Sequence, residues 1–186
     1  MDYIKDLFKF GDLYNHEETD PLFIRAVKKN INFHRMHCKE YSKILNAKNY
    51  NPKDIRKISD LYKIPPIPTL YLKKHTMKSI ADKKMLIKAT SSGTKGKKSH
   101  IGFDGKALYY GFHMVMATAG YHKLLSPKPT NYIMLGYEPN KSNHTVVSKT
   151  ALGATFFAPA LKREYALKYI KGEYRLDIKG LKKALI

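Results

Sequence analysis

At 186 residues the chain is long enough to bury a real core as one domain, and at 43% hydrophobic content it is not a disordered chain. A single cysteine, Cys38, excludes a disulfide framework and a cysteine-based zinc cluster. Thirty-five Lys and Arg against fifteen Asp and Glu give a net charge of +20, a balance that suits polyanions (nucleic acid, acidic membrane, nucleotide, coenzyme A) and also arises in lysine-rich proteomes without functional meaning.

The N-terminus, Met1-Asp2-Tyr3-Ile4-Lys5-Asp6, lacks the basic start and apolar run of a signal peptide. The longest uncharged run, Ala107 to His122, is shorter than the ~20 apolar residues of a membrane span. A cytoplasmic protein without a membrane span is the expectation.

Tyr3, Ile4, Leu7 and Phe8 predict a short helix over residues 3–10. Asp20 as N-cap and Pro21 at the first helical position then open one long helix. Phe23, Val27, Ile31, His34, Cys38, Tyr41 and Leu45 recur along its apolar stripe. His34 and Cys38 read as core residues; with His37 they could be drawn as a metal cluster, but no fourth ligand is in view. Asn51-Pro52 starts a short helix through Ile55 and Ile58. The three prolines of Ile64-Pro65-Pro66-Ile67-Pro68-Thr69 exclude helix and central strand. They read as an extended connector handing over to a helix at Thr69, with a proline-rich recognition ligand as the alternative.

The segment Lys88-Ala89-Thr90-Ser91-Ser92-Gly93-Thr94-Lys95-Gly96-Lys97-Lys98-Ser99 follows. Met85-Leu86-Ile87 before it and Ser99 to Phe103 after it both read as short strands, so it is a loop between strands. Glycines let its backbone come close to a ligand, successive amides make an anion-binding concavity, and lysines add point charges suited to phosphate. A loop that wraps a polyphosphate is one reading, and a polar hairpin kept soluble by lysine is the other. It is not a P-loop NTPase motif, since the residue five before Gly96 is Ser91 and Lys97 is followed by Lys98. From Leu72 to Lys106 ten lysines face two aspartates, so positive charge is denser here than elsewhere.

Thr90-Ser91-Ser92-Gly93-Thr94-Lys95-Gly96-Lys97 resembles the phosphate loop of the AMP-forming adenylating enzymes, the acyl-CoA synthetase and luciferase superfamily. Lys95 departs from that pattern, standing where a small hydroxyl residue is usual. Asp60-Leu61, Ile64-Pro65-Pro66 and Leu70 to Lys74 are similar in layout to the phenylacetate-CoA-ligase-like branch, and Tyr132 to Pro139 looks most like its acyl-protein synthetases of bacterial bioluminescence (LuxE-type).

Beyond the loop, Asp104 can cap a helix from about Gly105 to Leu124. Leu108, Phe112, Val115, Ala119 and His122 form its stripe, and Tyr110, Met114 and Ala117 lie off it, which predicts a helix covered on more than one side. Residues 130–137 read as a buried strand, Val146 to Leu152 as a short helix closed by Gly153, and Ala154 to Pro159 as the next strand. Gly153-Ala154-Thr155…Pro159 resembles a strand of the same enzymes, beside which their acyl pocket forms. From Asp177 the pattern Ile178, Leu181, Leu185, Ile186 is helical, and the chain stops inside it.

The fold class expected is α/β: N-terminal helices (residues 1–63), then a mostly parallel sheet with flanking helices (residues 64–186) forming the N-terminal portion of an adenylating-enzyme large domain. The resemblance implies ATP and Mg²⁺ as cofactors and activation of a long-chain fatty acid, or another carboxylate, as acyl-adenylate for transfer to a protein thiol. It implies an acyl-reductase or acyl-carrier partner protein and assigns Thr90 to Lys97 to the ATP phosphates. His144 falls near the acyl pocket in that layout, with a surface histidine as the alternative. The superfamily's later motifs are not found in these residues, which suggests a partial enzyme. The rival readings are a basic nucleic-acid-binding module, for which no motif is present, and an inactive remnant.

Overall fold

The structure is a computed structural model that describes residues 2–91, 98–140 and 146–185. It falls into two compact units: Met1–Lys88 with Ser99–Thr118, and Ala89–Lys98 with Ala119–Ile186. The class is α/β, as the sequence predicts.

In the first unit, α1 (Tyr3–Lys9) precedes α2 (His16–His37). α2 starts before the expected Asp20-Pro21, and Pro21 lies inside it. The Asn15 side chain accepts the Glu18 N–H at 3.2 Å, and Glu17 and Glu18 place negative charge in the first turn. That cap and dipole match are enough to carry the helix through one proline, whose missing amide costs a single bond near the N-terminal end. The expected single long helix is two. Cys38 is extended (φ −124°, ψ 104°) and 5% exposed, and α3 (Lys39–Ala47) begins after it. The break lets Ile31 of α2 and Leu45 of α3 meet Ile55 in one buried cluster, against which Ile24, Val27, Tyr41 and Leu61 pack.

Two 3-10 turns, Pro52–Asp54 and Ile58–Lys63, replace the expected short helix. Asp60, 7% exposed, organises the second: it accepts the Arg56 and Lys57 amides at 2.9 and 3.1 Å and the Lys63 ammonium at 2.9 Å. Lys63 first, then those two amides, hold its carboxyl well below the usual carboxylate range. The proline stretch is extended and hands over to α4 (Thr69–Lys74), as expected.

β1 (Ile87–Thr90) and β2 (His100–Phe103) pair as a two-stranded sheet, and α5 (Gly105–Tyr121) follows. Asp104 caps α5 by accepting the Ala107 amide at 2.8 Å. Tyr110 and Ala119 are buried, but Tyr109, Phe112, Met114 and Val115 are exposed. Tyr110 and Ala119 are nine residues apart and so lie on opposite sides of the helix, which is buried at single positions on two sides rather than along its stripe.

In the second unit, β3 (Thr130–Tyr137), α6 (Val146–Ala154) and β4 (Ala160–Ile170) form a strand–helix–strand unit with β3 and β4 parallel. β5 (Glu173–Leu176) pairs antiparallel with β4, so this sheet is mixed, in the order β3-β4-β5. The turn between β4 and β5 is Lys171-Gly172, both at positive φ (50° and 92°), the geometry that suits the twist of a tight hairpin. α7 (Ile178–Leu185) closes the chain's described part, as its periodicity predicts.

Candidate functional site

The loop between β1 and β2 is set up by its flanks. Ala89 is 3% exposed and anchors β1; Thr90, half-buried, is its last residue, and Ser91 follows. Below them the Leu86 amide donates to the Phe103 carbonyl at 2.8 Å and ties the strands' outer ends together. Of the predicted phosphate-binding residues, Thr90 and Ser91 are described; Ser92, Gly93, Thr94, Lys95, Gly96 and Lys97 lie outside the described residues, as does His144.

Charge around the loop follows from how the two aspartates of residues 72–106 are used. Asp82 pairs with Lys78 at 2.6 Å, which holds its carboxyl below the ordinary value. Asp104 is occupied by the Ala107 amide. Lys88 and Lys98, on either side of the loop, are exposed. In sequence, residues 72–106 carry ten lysines against two aspartates.

In the Gly153-Ala154-Thr155…Pro159 segment α6 runs on through Gly153, its expected cap, to Ala154, and residues 155–159 are a turn rather than the expected strand, with β4 starting only at Ala160. The reason is where its backbone groups bond. The Phe156 amide donates to the Gly153 carbonyl at 3.2 Å, and the Thr155 hydroxyl donates to the Leu152 carbonyl at 2.7 Å, so both finish α6 rather than a ladder. Tyr132 clamps the far side: its hydroxyl accepts the Ala158 amide at 2.8 Å and donates to the Ala158 carbonyl at 3.1 Å. Arg163 Nε donates to the Thr155 hydroxyl at 2.8 Å, and its guanidinium lies 5.2 Å from the centre of the Phe156 ring. Tyr132 and Arg163 are neighbours in the β3–β4 register, which is why both reach one turn. The sequence places Tyr132 on a predicted strand without this role, and Arg163 is not singled out because β4 itself is not predicted. Tyr132→Phe is expected to cost about 1–2 kcal/mol in urea unfolding, since it leaves both main-chain groups of Ala158 without their partner.

His34 and His37 are turned to different jobs. His34 Nδ1 is 2.7 Å from Ser79 Oγ, and His37 Nδ1–H donates to the Phe33 carbonyl at 2.7 Å. His34 is exposed rather than in the core as expected, unlike Cys38, and partial desolvation, then His37, lower its pKa. Among the described residues no group of three His, Cys, Asp or Glu side chains could hold a metal ion. No helix among them is long and apolar enough to cross a membrane.

The model of the LuxE family, acyl-protein synthetase, matches residues 6–169. The chain belongs to this family. The matched span takes in the predicted phosphate loop, the β3–α6–β4 unit and the Thr155 turn, and ends just before β5 and α7. Compared with curated proteins, the chain matches none. LuxE membership brings acyl-protein synthetase chemistry, and with it ATP use, to the family level.

Proposed function

We propose that this LuxE-family chain binds ATP through Thr90 to Lys97 and activates a long-chain fatty acid, or another carboxylate, as acyl-adenylate for transfer to a protein thiol. The observation that carries the reading is the sequence Thr-Ser-Ser-Gly-Thr-Lys-Gly-Lys inside a family match covering residues 6–169. In this reaction the carboxylate oxygen attacks the α-phosphorus, the bond to the β-phosphate oxygen breaks, and pyrophosphate leaves. Charge builds on the phosphates, so the chain's task is positioning and neutralisation.

Backbone amides at Gly93 and Gly96 and the hydroxyls of Ser91, Ser92 and Thr94 would hold the β- and γ-phosphates, with Lys95 and Lys97 adding charge. Mg²⁺ would supply further positive charge to offset that of the phosphates. His144 is carried forward as an acyl-pocket residue. The functional division we propose places a helical region at residues 1–63 before an adenylate-forming portion at 64–186. The setting is cytoplasmic, an acyl-reductase or acyl-carrier protein receives the acyl group, and full turnover draws on more polypeptide than these residues.

The test is ATP–pyrophosphate exchange with tetradecanoate, run beside equilibrium binding of ATP. Lys97→Ala and Gly93→Val are expected to weaken ATP binding about tenfold or more. Full ATP affinity in both variants overturns the loop assignment. Exchange seen only in a longer polypeptide supports the partial-enzyme reading.

A further inference from the structure

A groove of about 660 Å³ runs along one face of α2 in the first unit. Arg25 and Lys28 of α2 line one side, and Arg56 and Lys57 line the other. Apolar wall comes from Ile24, which packs on the buried cluster, and from Ile58, left 37% exposed. The volume lies in the range of small-ligand sites, about 300–1,000 Å³.

Three features separate this groove from an ordinary lysine-rich surface. First, it gathers four cations in one groove, and none of the four has a carboxylate partner among the described residues, a state they share with other lysines of the unit such as Lys48 and Lys53. Second, the backbone beneath Arg56 and Lys57 is pinned. Asp60 takes both of their amides and spends its other oxygen on Lys63, so it fixes where the two side chains start without neutralising them. Third, the Arg25 guanidinium lies 5.3 Å from the centre of the Tyr3 ring, a cation–π contact that supplies no counter-charge. The groove's own carboxylates, Glu17 and Asp20, sit towards the start of α2, and Asp20 lies 3.6 Å from His16. Along α2, Arg25 lies five residues and Lys28 eight residues beyond Asp20, about 7.5 and 12 Å, so the basic wall residues of this helix lie beyond its acidic ones.

We propose that this groove binds a small phosphate ester carrying at least two negative charges and an apolar or aromatic body. Arg25, Lys28, Arg56 and Lys57 hold the phosphates, and Ile24 and Ile58 take the body. The site is independent of the phosphate loop and does not rest on the adenylation reading.

Calorimetric titration of the whole chain with geranyl diphosphate, beside inorganic pyrophosphate, tests it. The wild type is expected to bind the ester about tenfold more tightly than pyrophosphate. Arg56→Ser with Lys57→Ser is expected to weaken ester binding about tenfold or more, with the circular dichroism spectrum unchanged. Ile58→Ser is expected to weaken the ester and leave pyrophosphate as it was. Lys179→Ser with Lys183→Ser, outside the groove, changes neither. Gly93→Val, which probes the phosphate loop, lowers ATP affinity alone, so the two sites fail separately. Equal affinity for ester and pyrophosphate, unchanged binding in the Arg56/Lys57 variant, or tighter binding of a glutamate octapeptide than of the ester each overturns the proposal, the last in favour of an acidic polypeptide partner.

Discussion

Leu45→Ala is expected to lower the stability of the chain by about 3–5 kcal/mol, read as a shift of the urea midpoint at constant slope. Leu45 has no exposed surface and stands between Ile31 and Ile55 in the buried cluster. The elements around it cannot close over the loss easily. α2 and α3 are joined through a single extended residue, Cys38, and the Tyr50 amide is tied to the Leu45 carbonyl at 2.9 Å. Truncation therefore leaves a cavity as well as removing apolar contact, and the cavity adds to the transfer cost. Ile55→Val, which removes one methylene from the same cluster, is expected to cost only about 1 kcal/mol. A Leu45→Ala cost under about 1 kcal/mol would mean that this cluster is not the core of the unit. The groove lined by Ile24 and Ile58 hangs on the same cluster, so its ligand affinity should fall with Leu45→Ala and hold with Ile55→Val.

Periodic apolar spacing made some elements legible. Residues 130–137 carry no charge and no proline, and they form β3 with those bounds, though of the expected buried strand only Met134 is buried and Leu135 is exposed. Asp104 and Thr69 begin helices because local chemistry, a capping carboxylate and the end of a proline run, decides those boundaries. What the sequence hid was settled by partners far along the chain. Nothing local marks Cys38 as a break, because its stripe continues unbroken from Phe23 to Leu45; the buried cluster decides it. Thr155 to Pro159 has strand-like composition, yet Tyr132 and Arg163 draw it into a turn. β4 escaped notice because Lys162, Arg163, Glu164 and Lys168 interrupt its apolar residues, and the one local clue was the Lys171-Gly172 turn. For the site, the order of residues from Thr90 to Lys97 was legible as family. The basic groove was not, since its walls, near residues 25 and 56, are thirty residues apart and meet only in the fold.

Lys168→Met is expected to destabilise the second unit by about 2–3 kcal/mol, below the full cost of breaking a buried pair because the lysine side chain is 30% exposed. Lys168 bridges two carboxylates: it is paired with Glu164, which is 4% exposed, and lies 2.8 Å from Asp177. Asp177 caps α7 through the Gly180 amide at 2.9 Å. A Cβ at residue 180 would collide with both carboxylates, so α7 approaches β4 closely only because that residue is glycine. Without the ammonium, two carboxylates face each other under the helix, with Lys162, 3.5 Å from Glu164, as the remaining cation. The double variant Lys168→Met, Glu164→Gln removes the orphaned charge and should recover part of the loss. A double variant as unstable as the sum of the two singles would exclude this coupling. The same cluster sets an acid limit. Lys168 first, with the Gly180 amide for Asp177, lowers both carboxyl pKa values below their unfolded values of 4.5 for Glu164 and 3.8 for Asp177. Groups depressed on folding stabilise the fold above those unfolded values, and the contribution is lost as pH falls below them. The raised pKa of Lys168 has the opposite sign, but its contribution is complete below 10.5 and is lost only in strong alkali. Urea unfolding of the wild type should therefore show stability level from pH 6 to 8 as far as this cluster is concerned, and falling below about pH 4.5, with a shallower acid slope in the double variant.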